Sequence, residues 1–138
     1  MTPAQARTAI RTLYVNEIKT IYPTLKIAVD NGKFTPPDSE DWVRLSVIFN
    51  TAPPATLGRP GNRKFRRTGF ISIQVFSPIL TRTDTNDAIL EDSINIFDGR
   101  HIATQLWSFA GRGETIGIDD DKYFQQNAVI EFEYENIR

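Results

Sequence analysis

Residues 127–135, NAVIEFEYE, alternate without a break: Ala128, Ile130, Phe132 and Tyr134 fall on one side, Glu131, Glu133 and Glu135 on the other. A repeat of two is that of a β-strand with one dry and one wet face, and a one-residue slip in register would drive the glutamates into the core. The stretch therefore requires a sheet, and the sheet requires a layer to cover one of its faces. Two further segments repeat the pattern. Val43, Leu45, Val47 and Phe49 alternate with Trp42, Arg44, Ser46 and Ile48, and Ile71, Ile73 and Val75 alternate with Phe70, Ser72, Gln74 and Phe76 until Pro78 ends the run. A shorter strand is expected where Leu25, Ile27 and Val29 alternate with Thr24, Lys26 and Ala28, before the turn signal Asn31-Gly32.

The covering layer is expected from two helices. Thr2 as N-cap, Pro3 in the first turn and Gln5 three positions after the cap make a capping box, and Ile10, Leu13, Tyr14, Ile18 and Ile21 recur at helical spacing until Pro23. The second helix lies in TRTDTNDAILEDSINIFDGR, with Asp84 or Thr85 as cap, Leu90, Ile94 and Phe97 on one face, and Gly99 as its stop. HIATQLWSFAG and ETIGI read as two more strands. Gly111-Arg112-Gly113 reads as a hairpin turn, and His101 as a turn residue after the helix. The order α, β, β, β, α, β, β, β predicts an α+β fold: a single domain over 1–138, a mostly antiparallel mixed sheet, and two helices packed on one face. At 138 residues the chain can enclose one core.

Chemistry is sparse. The chain has no cysteine and one histidine, which removes disulfides, thiolate catalysis and Cys-ligated zinc. Gly111-Arg112-Gly113 with Gly117 lacks the flanking strand and helix of a dinucleotide fingerprint. Asp119, Asp120 and Asp121 lack the glycine and distal glutamate of a calcium loop. The reading is of a protein that is not an enzyme and uses no cofactor or metal. No apolar run approaches the roughly 18–20 residues that span a bilayer. Arg7 and Arg11 stand in a polar pattern unlike a signal peptide, so synthesis in the cytoplasm is expected.

Charge supplies the functional lead. Net charge is only −1, yet Arg59, Arg63, Lys64, Arg66 and Arg67 crowd nine positions. They sit at the end of a stretch, 51–68, with three prolines and two glycines, read as a long projecting loop. Three readings stay open for it: a merely solvated loop, nucleic-acid binding, or protein docking, for which arginine's planar fork is suited. An acidic complement is offered by Asp119, Asp120, Asp121, Glu131, Glu133 and Glu135, so one copy's loop could meet another copy's acidic surface. Phe34, Trp42, Trp107, Tyr123 and Phe124 are candidate aromatic anchors near strand ends.

The order of features also carries a resemblance. The N-terminal helix, KIAVDNGKFTPP, DWVRLSVIF, RKFRRTGFISIQVFSP, NDAILEDSINIFDG and KYFQQNAVIEFEYE together resemble the tail terminator, or tail completion, proteins of long-tailed bacteriophages, the lambda minor tail protein U group among them. The resemblance implies a structural virion protein, assembled in the host cytoplasm, that forms a ring, commonly a hexamer, at the head-proximal end of the tail. Such a ring caps the tail tube, stops its polymerisation, and offers a joining surface to the head–tail connector or neck protein, while DNA passes through its lumen without specific binding. On this reading the basic loop docks on a neighbouring subunit or the tube. The alternatives are a neck or stopper protein, or a small nucleic-acid-binding module.

Overall fold

Helix α1, Pro3–Ile21, starts where the capping box places it: the Thr2 hydroxyl accepts from the Gln5 amide at 3.2 Å and the Gln5 side chain accepts from the Thr2 amide at 2.9 Å. The computed structural model describes residues 1–37, 39–50, 59–79, 84–119 and 123–137. Along α1 the dry face is Ala6, Ile10, Tyr14 and Ile18, whereas Leu13 is half-buried and Ile21 is exposed. The spacing identified the helix but made its apolar stripe one residue too wide.

Strands β1 (Lys26–Val29), β2 (Trp42–Phe49) and β3 (Lys64–Pro78) precede helix α2 (Asp84–Phe97), and β4 (His101–Ala103), β5 (Leu106–Asp119) and β6 (Tyr123–Ile137) follow it. They form one six-stranded sheet in the order β1-β2-β3-β6-β5-β4, with β1 and β2 parallel and every other pair antiparallel. This is the expected α+β architecture and element order. Asn31 does turn the chain, with φ of 54°. The strands it separates are nevertheless parallel, because the connection crosses back to lay Trp42 beside Lys26.

One face of the sheet is dry. Val43, Leu45 and Val47, then Ile71, Ile73 and Val75, then Ala128, Ile130, Phe132 and Tyr134 share a core with Ile10, Tyr14 and Ile18 of α1 and Ile89, Ile96 and Phe97 of α2. Tyr14 stacks on Phe97 with ring centroids 6.0 Å apart, and its hydroxyl shares a hydrogen bond with Ser93 at 2.9 Å. Burial pushes the Tyr14 phenol far above its ordinary range, so it stays neutral. Gly99, at φ of 55°, ends α2 as expected.

Two expectations for the region after α2 are corrected. HIATQLWSFAG and ETIGI are not two strands joined at Gly111-Arg112-Gly113: the turn is Thr104-Gln105, and the glycines lie inside β5. They are there for packing. A Cβ on Gly111 would stand 2.7 Å from Ile130 and 3.2 Å from Ile94, and one on Gly113 would stand 3.0 Å from Leu90, so bare backbone lets α2 settle on the sheet. His101 is likewise not in a turn but begins β4, with Nε2 3.2 Å from the Thr104 carbonyl.

Gly69 is the tightest contact of this kind, since a Cβ there would lie 2.2 Å from the Ile48 carbonyl oxygen, which is backbone and cannot swing aside. Gly69→Ala is therefore expected to lower stability by about 1–3 kcal/mol. Gly113→Ala, which meets only the side-chain ends of Leu90 and Ile94, is expected to cost less than about 1 kcal/mol. Paired denaturant melts check this contrast, and equal losses would contradict it.

Candidate assembly surface

The helices occupy one face of the sheet, so the outward residues of β2, β3 and β6 make the other face, and the register sorts them into three zones. At one end Trp42 stacks on Phe76 at 4.1 Å, with Phe34 and Tyr123 against the same indole at 5.1 and 5.7 Å. Tyr123 donates to the Pro37 carbonyl at 2.6 Å, tying the segment after β1 over this cluster. Arg44 lies across it, 5.5 Å from the Trp42 ring. Trp42 is only 2% exposed, so it is packed in the fold and does not stand out as an anchor.

At the opposite end the basic residues meet the acidic ones. Lys64 reaches Glu135 at 3.2 Å and Arg66 reaches Glu133 at 2.7 Å. Both are diagonal cross-strand pairs, because Lys64 is opposite Ile137 and Arg66 is opposite Glu135. Two carboxylates of the acidic row, Glu133 and Glu135, thus pair with basic residues of their own chain. The projecting loop is corrected: β3 already begins at Lys64, so 64–68 are strand, while 51–58 lie outside the described residues.

The other basic residues divide. Arg59 is exposed in a turn closed by the Asn62 amide donating to the Arg59 carbonyl at 3.0 Å, with Gly61 at φ of 93°. Arg63 lies 5.8 Å over the Phe65 ring, its Nε buried without a hydrogen-bond partner among the described residues. Arg67 is half-buried opposite Tyr134, on the helix-covered side. Trp107 is half-buried with its ring edge-on to His101 at 6.3 Å, and Phe124 is half-buried opposite Ile118. Asp119 ends β5, and Asp120 and Asp121 lie outside the described residues.

Between the aromatic and ionic zones runs a feature the sequence reading did not single out. Ile48 is opposite Phe70, and Phe70 is opposite Glu131. Phe109, in the irregular stretch of β5, completes a shallow depression with Phe70, Thr68, Asn50 and Glu131. Ile48 and Phe109 are 51% and 41% exposed, so apolar surface faces solvent in the middle of the open face. Among the described residues Glu131 has no ion-pair partner, leaving one carboxylate beside this apolar strip.

The remaining electrostatics are structural. Tyr22 donates to Asp92 at 2.5 Å, and burial followed by this carboxylate pushes its phenol up to about 12. Burial also raises the Asp41 carboxyl above its usual range, beside Glu40 and Ser39 in a small cleft. Among the described residues no cluster of His, Asp or Glu could hold a metal ion. Among the described residues no helix is long and apolar enough to cross a membrane.

Among the described residues this surface is apolar in the middle and ionic at one end. The family model for phage tail terminator protein matches residues 9–126. The chain belongs to that family. Its role is that of a structural protein of the phage tail, and its place is the virion. A solved structure of a protein without a descriptive name superposes with a TM-score of 0.73 at 16% identity, covering 100% of this chain and 99% of that one. A chain from the virion of a native gene transfer agent particle superposes with a TM-score of 0.56 at 13% identity, covering 96% of this chain and 97% of that one. At these identities both likenesses speak to the fold. A search of curated proteins gives no significant match.

The ion pairs of the tail terminator sheet are open to measurement. A double-mutant cycle on Arg66→Ala and Glu133→Ala is expected to give a coupling of about 0.5 kcal/mol that fades in high salt, as for other exposed pairs. A coupling near zero at low salt would mean that Glu133 is free to pair elsewhere.

Proposed function

We propose that the protein assembles as a ring, six-fold by resemblance, on the head-proximal end of the tail tube, where it stops tube polymerisation and presents the surface that the head–tail connector joins. Assembly takes place in the host cytoplasm, and DNA passes through the lumen without specific binding. The observation that carries this reading is the match to the tail terminator family over most of the chain. The open sheet face supports it physically, because a surface with a partly exposed apolar strip beside the Glu131 carboxylate suits a contact that is weak alone and strong when repeated around a ring.

Within that ring we assign the contact with a neighbouring subunit or the tube to Arg59 and Arg63. Neither has an ion-pair partner among the described residues, whereas Lys64 and Arg66 are engaged within the sheet. This division also weakens the nucleic-acid reading, since two of the five cations already face carboxylates.

The reading is tested in the particle. A phage lacking this protein is expected to make tails longer than normal when viewed by electron microscopy. Tails of normal length beside heads that leak DNA would assign the neck or stopper role instead. Charge reversal at Arg59 and Arg63 is expected to abolish capping of purified tubes, and reversal at the exposed Arg59 alone is expected to leave the melting temperature within about 2 °C of the parent, as for surface substitutions in general.

A further inference from the structure

Among the described residues the long outer edge of β5 is unclaimed. β4 covers only its start, through His101 opposite Trp107 and Ala103 opposite Leu106, with the last contacts at the amide of Ser108 and the carbonyl of Phe109. From Ala110 to Ile118, no strand among the described residues pairs with this edge. Backbone donors and acceptors there are a template for another strand. The usual defences are thin: the run AGRGETIGI has no proline and no lysine, and Ile116 and Ile118 are 55% and 65% exposed. Bulges between Ser108 and Gly111 and between Thr115 and Gly117 confine regular pairing to Gly111–Thr115.

That regular segment is centred on Gly113 and its charges are self-complementary. Arg112 and Glu114 are opposite Val129 and Asn127 of β6, on the open face of the sheet, and neither has an ion-pair partner among the described residues. In an antiparallel pairing of two copies about a two-fold axis at Gly113, Arg112 of each copy falls opposite Glu114 of the other. Two cross-strand ion pairs form at once. On the covered face, Leu90 stands over Gly113, so the half-buried Leu90 side chains of the two copies flank the axis.

We propose that the free protein dimerises through this edge, β5 against β5 of a second copy, to give one continuous sheet. A two-fold contact of this kind uses the same patch on both copies and cannot propagate around a ring of more than two subunits. The dimer is therefore a state of the unassembled protein. It hides an aggregation-prone edge and holds subunits apart from ring formation until a tail end competes for them. The inference does not rest on the ring reading, since the dimer is measured in the absence of tails.

Sedimentation of the full chain across a concentration series is expected to show a species of about twice 15.7 kDa. Arg112→Glu or Glu114→Arg alone places like charges opposite each other twice and is expected to weaken dimerisation about ten-fold or more. The double swap, Arg112→Glu with Glu114→Arg, restores opposite charges and is expected to recover the parent affinity. Circular dichroism melts of all three variants establish that they fold. Hydrogen exchange is expected to slow in residues 110–116 as concentration rises. A parent protein that stays monomeric, one that passes straight to larger rings, or a double swap as weak as the single ones overturns the proposal. So does concentration-dependent protection confined to other segments.

Discussion

The pairing of β3 with β6 is the interaction on which the rest of the structure depends. The two strands, each of 15 residues, lie antiparallel from Lys64 opposite Ile137 to Pro78 opposite Tyr123, in the middle of the sheet. Their inward residues form the floor on which both helices rest, and β2 and β5 are added to either side. The register is fixed from both faces at once. A slip of one residue would bury Glu131, Glu133 and Glu135, and would also part Arg66 from Glu133 and Lys64 from Glu135. Charge in this region therefore specifies the fold before it does anything else.

That double use explains how a chain with a dense basic run remains an ordinary folded domain. Lys64 and Arg66 of β3 are held over carboxylates of β6, and what is left on the described surface is smaller and more local: the turn at Arg59, the guanidinium of Arg63, Glu131 and the apolar strip around Ile48, Phe70 and Phe109. On the proposed reading the partner presents many copies of one surface. Contacts of modest individual strength then suffice, because their number supplies the affinity.

Much of this was legible in the sequence, and where it was not the reason is physical. The capping box at Thr2, the alternation of β2, β3 and β6, and the stop at Gly99 are local signals, set by neighbours within a few residues, and each stands where it was read. The glycines of β5 misled because a helix from a distant segment, not a turn, required them. Trp42, Phe34 and Tyr123 read as candidate anchors near strand ends, with core packing as the other role, and the crossover after β1 folds them into one cluster. Phe109 could not be placed at all before the irregular register of β5 against β6 was known.

The sequence by itself determined the order of elements and the dry and wet sides of the central strands, because these follow from periodicity and local capping. Only the tertiary structure decided which charges are spent inside the chain and which remain for others. Lys64 and Arg66 are no different in type from Arg59 and Arg63; they differ because β6 brings glutamates from about 70 residues away to within ion-pairing distance of the first two. Strand adjacency is a long-range property, and it sorts both the charges and the apolar side chains into those that hold the fold and those that face a partner.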